Sequence, residues 1–223
     1  MTKLEPLTNL NDLHRGIHKQ WIWQWRDNYY TSCDYLQKIN YSIQDLNNEI
    51  EGLASPTNKD VIYVIVLIDW ICKAVCGIQN LLIAGIKEAF KYEKQDEINK
   101  AHKFFEAVRA FVVAHPLSTT RHEAYGFDGG KICIDIRIGV SEFLSLKREA
   151  DLYHLDFSGL KPRARDVNAD FYLMIYSKHP DNMEFSKYIG VCFSDLYHVA
   201  EVYIDKLYAI DRYLEKVKKK DWM

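Results

Sequence analysis

Apolar residues recur at steps of three and four along most of the chain, the periodicity of helices with one buried face. Leu10, Leu13, Ile17, Trp21 and Trp25 share one stripe, and Tyr35, Leu36, Ile39, Ile43, Leu46 and Ile50 continue at the same spacing. Residues 8–53 therefore read as helical, as one helix or two, with Thr8 or Asn9 as the cap. Residues 54–58, ASPTN, break the pattern with a proline and clustered cap residues. A second helix is expected over 59–92. Its first half is apolar nearly all round, which places it centrally. After a charged bend at 95–97, Ile98, Ala101, Phe104, Phe105, Val108, Phe111 and Val112 form the stripe of a third helix. Pro116 must end it, because proline drives the residue before it, His115, out of the α conformation.

The period changes to two at Ile132, Ile134, Ile136 and Ile138, which predicts a strand over 131–138. Residues 170–176, DFYLMIY, are rich in strand formers and predict a second strand paired with the first. Around these, 117–130 reads as a polar loop and 141–153 as a short helix. Residues 158–168 read as a basic loop carrying Lys161, Arg163 and Arg165. A last helix opens near His179-Pro180-Asp181-Asn182. Leu196, Val199, Ala200, Tyr203, Leu207, Ile210, Leu214 and Val217 mark its buried face, and Lys218 to Lys220 at its end suit the helix dipole. The expected fold is mainly α: an up-and-down bundle of four to five long helices with a small two-stranded β insertion at about 117–180, in a single domain over 1–223.

Composition changes this picture little. Hydrophobic residues make up 48% and charged residues 27%, ordinary globular usage. The net charge of −2 supplies no global field for nucleic acid, so any RNA contact needs a local basic patch. Five cysteines, an odd number with no CxxC, read as reduced thiols. The first 14 residues lack the apolar core of a signal peptide, and Asp69, Lys73, Gln79 and Asn80 interrupt the apolar run after 61. The expectation is a cytoplasmic protein with no membrane span.

Candidate chemistry centres on Val108-Arg109-Ala110-Phe111-Val112-Val113-Ala114-His115-Pro116. A histidine that titrates near neutrality can remove the proton of a ribose 2′-hydroxyl, and a planar guanidinium matches phosphate oxygens. Six residues of straight helix leave the two side chains roughly 120° apart, so either the exit at Pro116 or a second copy must bring them together. The segment resembles the R-x(4–6)-H motif of the HEPN superfamily, whose members are helical bundles, often dimeric. Many are metal-independent ribonucleases of toxin–antitoxin and phage-defence systems. Ala110 departs from the polar residue often found after the arginine. The resemblance implies Arg109 and His115 as catalytic residues, a homodimer, RNA as substrate and an antitoxin or other protein as partner, with no cofactor and no metal. Arg121-His122, in the following loop, are candidates for further phosphate contacts. A non-catalytic helical protein binding RNA, a nucleotide or a protein partner is the competing expectation.

Other patterns have plainer readings. An ion pair with Glu106 would account for Arg109 without catalysis. His14 and His18 have metal-capable spacing but no acidic or thiol partner nearby. Cys72 and Cys76 lie in the most apolar helix and read as core. Trp21, Trp23, Trp25, Tyr29 and Tyr30 read as core or as a partner surface, with Trp23 turned away from the Trp21 and Trp25 side. No phosphate-binding glycine loop, nucleophile elbow or H-E-x-x-H is present.

Overall fold

The computed structural model describes residues 3–13, 15–114, 116–117, 120–125, 127, 132–139, 151–162, 169–177 and 185–221, apart from the side chains of Thr120, Arg121 and Phe185. The chain forms two compact units. One is a sheet unit of Met1–Leu4, Gly52–Ile65 and Asn99–Leu196; the other is a helical unit of Glu5–Glu51, Val66–Ile98 and Tyr197–Met223.

The sheet unit holds strands β1 (Cys133–Arg137), β2 (Leu152–Asp156), β3 (Gly159–Pro162), β4 (Phe171–Ser177) and β5 (Phe185–Val191). They form one five-stranded sheet in the order β1-β4-β5-β2-β3. All neighbours are antiparallel except β2 and β5, which run parallel. This corrects the expected mainly α bundle with a two-stranded insertion. The predicted pairing of 131–138 with 170–176 is present as β1 against β4, but three further strands complete a mixed sheet. β5 occupies residues expected to begin the last helix, and β2 overlaps the end of the predicted short helix at 141–153. The rest of that short helix, residues 141–150, lies outside the described residues, as does the expected helix start at 179–182. The core of the unit is built from Leu152, Leu155, Phe171, Leu173, Ile175, Tyr188 and Ile189, all buried. Ring pairs Phe104–Phe157 and Phe171–Phe193 add to it.

In the helical unit, α1 (Arg26–Glu49) packs against parts of α2 (Asn58–Leu81) and of the last helix, α5 (Phe193–Lys216). Two short links show how closely. Gly77 of α2 faces the Tyr35 ring of α1, and the Tyr197 hydroxyl of α5 donates to the Leu46 carbonyl at 2.6 Å. The expected helix over 8–53 begins only at Arg26. Before it the described residues form no helix except a 3-10 turn at Gln20–Ile22, yet Leu7, Ile17, Ile22 and Trp23 are buried. Of the predicted stripe only Ile17 is buried and Trp25 is exposed, so burial here follows an irregular backbone and not a helical period. The expected helix over 59–92 divides into α2 and α3 (Ala84–Ala89). The break has a cause the local sequence does not display. Ile83 donates its N–H to Ile22, Gln24 donates to Leu81, and Trp23 bridges Leu82, so strand-like bonds replace helical ones there. By length and composition α2 could cross a membrane, and 56% of its most apolar window is buried inside the fold.

Candidate functional site

The third predicted helix is α4 (Gln95–Arg109), which continues as a π-helix over Ala110–Ala114. Ala101, Phe104, Phe105, Val108, Phe111 and Val112 are buried along it. A π-turn takes one residue more per turn than an α-helix, and such turns occur frequently at functional sites. The Pro116 carbonyl then accepts the Ile134 N–H at 2.9 Å, which fastens the exit from the π-turn to the start of β1.

Arg109 is the last α-helical residue. Its Nη2 donates to Glu106 Oε2 at 3.0 Å, one turn back, with the two side chains 29% and 41% exposed. The Tyr125 phenol lies close enough for burial first, and the Glu106 charge second, to raise its pKa above the ordinary value. Arg109, Glu106 and Tyr125 thus form a polar group at the end of α4. His115 lies outside the described residues. Arg121 belongs to the 3-10 helix Thr120–Tyr125, and its side chain also lies outside them. His122, in the same 3-10 helix, is fully buried and stacks on Phe111 with ring centroids 5.1 Å apart. Phe111 also meets Tyr125 and Phe127, so His122 belongs to an aromatic core and presents no ring edge to a solvent-borne phosphate.

A second group in the sheet unit had no signal in the sequence. A ring nitrogen of His154, the Cys192 sulfur and an Asp195 carboxylate oxygen all lie within 4.8 Å of one another, and each residue is half-buried. His154 sits on β2 opposite Gly190 of β5 in the parallel register. Cys192 follows two residues later, immediately before α5, and Asp195 lies in the first turn of that helix. Asp170, just before β4, accepts the Phe193 N–H at 2.7 Å and holds the helix start in place. His154 Nδ1 is buried with no hydrogen-bond partner.

His14 lies outside the described residues, and His18 is exposed. All five cysteines are thiols and none is joined in a disulfide. Trp23 is buried at 4% exposure while Trp25 is 68% exposed, the reverse of the sides read from the sequence, because residues 23–25 precede α1 and do not follow a helical period. The helical unit holds a cavity of about 340 Å³, lined by Lys91, Lys94, Arg212 and Lys216 against Glu93 and Asp205. Lys94 is engaged with Asp205 at 2.7 Å. The Tyr92 hydroxyl, also lining the cavity, is buried with no hydrogen-bond partner. Burial chiefly, with the Asp205 charge, raises its pKa.

Compared with protein-family models, with curated proteins and with solved structures, the chain gives no match.

Proposed function

We propose that this is a HEPN-like protein acting on RNA, a metal-independent endoribonuclease in which Arg109 binds phosphate and His115 serves as general base or acid. The observation that supports the reading is the placement of Arg109. It is braced by Glu106 at the end of α4 yet 29% exposed, so a guanidinium fork is held in one orientation at the surface. The resemblance now rests on the Arg109 to His115 motif alone, because the five-stranded sheet removes the all-helical part of the expectation. In the reaction His115 takes the 2′-hydroxyl proton, the 2′-oxygen attacks the adjacent phosphorus, and the 5′-oxygen leaves with a returned proton. Arg109 carries the charge that builds on the phosphoryl oxygens. A homodimer in the cytoplasm, within a phage-defence or toxin–antitoxin system and with an antitoxin or other protein partner, belongs to the same proposal.

Purified wild type, His115→Ala and Arg109→Lys on a mixed RNA pool with EDTA present test it. His115→Ala is expected to cut the rate by ~10²–10⁴-fold with an unchanged thermal melt. Arg109→Lys keeps the charge but loses the fork, and is also expected to be impaired. Wild type that leaves RNA intact sinks the catalytic reading. Light scattering that gives a 26.2 kDa monomer at tens of micromolar contradicts the dimer.

A non-catalytic second reading has its own support in the cavity bordered by Lys91, Arg212 and Lys216, whose cations suit an anionic ligand such as a nucleotide. Nucleotide binding that is lost in Arg212→Glu and kept in Arg109→Lys favours it.

A further inference from the structure

We infer that His154, Cys192 and Asp195 form a binding site for a divalent transition metal, zinc above all. The donor types fit. Thiolate and imidazole select zinc over magnesium or calcium, and a carboxylate completes many zinc sites. The geometry fits as well. Tetrahedral ligands at ~2.0–2.3 Å from zinc lie roughly 3.3–3.8 Å apart, and the three donor atoms already lie within 4.8 Å of one another. A contraction of about 1 Å, within reach of side-chain rotation, closes the set.

The charges balance. A thiolate and a carboxylate neutralise a dication, and the positive end of α5 favours both anionic forms. The buried Nδ1 of His154, which has no hydrogen-bond partner, is a second and independent sign. An unsatisfied buried ring nitrogen destabilises the fold, and direct ligation, or a hydrogen bond formed when the other ring nitrogen ligates, would recover that loss. The scaffold is preorganised. His154 comes from the parallel pairing of β2 with β5, and Asp170 pins the helix start that carries the other two. Three protein ligands leave a fourth position for water, the arrangement of a reactive rather than a purely structural zinc site.

The test uses the full chain, stripped with a chelator and titrated with Co²⁺ and with Zn²⁺ against a chromophoric competitor. One metal per chain is expected, with a thiolate-to-cobalt charge-transfer band and release of protons on binding. Cys192→Ser should abolish the band. His154→Gln and Asp195→Asn should each weaken affinity by more than the ~10–100-fold that loss of an outer-shell partner costs. Cys76→Ser, in α2, should leave the titration unchanged. Wild type that takes up neither metal overturns the inference, and so does a band that survives in Cys192→Ser. If Cys192→Ser fails to fold by circular dichroism, the His154 and Asp195 variants decide: unchanged affinity in both overturns the site. Metal binding is read without RNA, so its outcome is separate from that of the ribonuclease proposal.

Discussion

Two glycines show how differently the same atom is tolerated. A Cβ at Gly77 would sit 2.5 Å from Cε2 of the Tyr35 ring, the side chain of a neighbouring helix. A ring can tilt, so Gly77→Ala is expected to cost roughly 1–3 kcal/mol. Tyr35→Leu in the same background should recover part of that. At Gly16 the Cβ would meet the Asp211 carbonyl oxygen at 2.2 Å and the Glu215 nitrogen at 2.6 Å, both backbone atoms of α5. Neither can yield without bending the helix. Gly16→Ala should therefore exceed the Gly77→Ala loss, and urea unfolding of the two variants side by side checks the order. Tyr197 supplies a prediction in pH. It is 2% exposed, and burial, with the Glu49 charge adding to it, raises its pKa well above the ordinary phenol value. A raised folded pKa gives stability that is complete below the unfolded value and lost as pH rises. Wild type should lose stability as pH climbs past about 10, and Tyr197→Phe should lose less. Near neutrality that variant should be weaker by roughly 0.5–1.5 kcal/mol, because the buried bond from the hydroxyl to the Leu46 carbonyl is lost. Other phenols shift the same way, so the difference between the two pH profiles is the quantity to measure.

At the scale of elements, α2 begins with a reciprocal cap. The Thr57 N–H and hydroxyl both donate to Asp60, and the Asp60 N–H returns a bond to Thr57 Oγ1. The backbone bond from Thr57, more than any other cause, lowers the Asp60 pKa. Its contribution is present above the unfolded carboxyl value and lost as pH falls. Thr57→Ala should cost about 1 kcal/mol in thermal melts at pH 7, and less once the pH falls below the folded pKa of Asp60. What the sequence made legible follows the same physics of local order. β1 was readable because four isoleucines alternate, and the apolar stripes of α1, α2, α4 and the body of α5 were readable because each helix buries one face. β5, FSKYIGV, was not: Ser186 and Lys187 break its alternation, and it runs straight into the strongest helix. β2, LYHLD, is short and half-buried on both sides. The break at 82–83 has no proline or glycine to mark it, because tertiary bonds create it, and the π-turn over Ala110–Ala114 contains neither residue. Arg109 was legible as a motif residue. The His154, Cys192 and Asp195 group was not, because only the β2 and β5 pairing joins residues so far apart in the chain.

On the scale of the whole molecule, each compact unit is assembled from separated stretches of chain, and α2, α4 and α5 each supply residues to both. Within the helical unit the segment before α1 is held by α5. The Ile17 N–H donates to Asp211 Oδ1 at 2.7 Å, and Tyr208 donates its hydroxyl to the Asn9 carbonyl. The Lys19 ammonium donates to the carbonyls of Leu214, Glu215 and Val217, at 2.8, 2.7 and 3.1 Å. Lys19 thus caps α5 from outside the helix. Lys19→Met keeps the stem and removes the donors, and is expected to cost about 1.5–3 kcal/mol in chemical denaturation. Its amide exchange should quicken in the last turn of α5 before it does elsewhere.

That clasp also sets a timetable for synthesis. Ile17 and Asp211 are 194 residues apart, so the early segment emerges from the ribosome long before its partners exist. At ~5–20 residues per second the wait is about 10–40 s. Throughout it Ile17 has no surface of α5 to fold onto. Nascent chains arrested before residue 193 should be cut readily between residues 9 and 19, the stretch that α5 holds, by a protease that spares it in the finished protein. They should also bind chaperones that recognise aromatic segments.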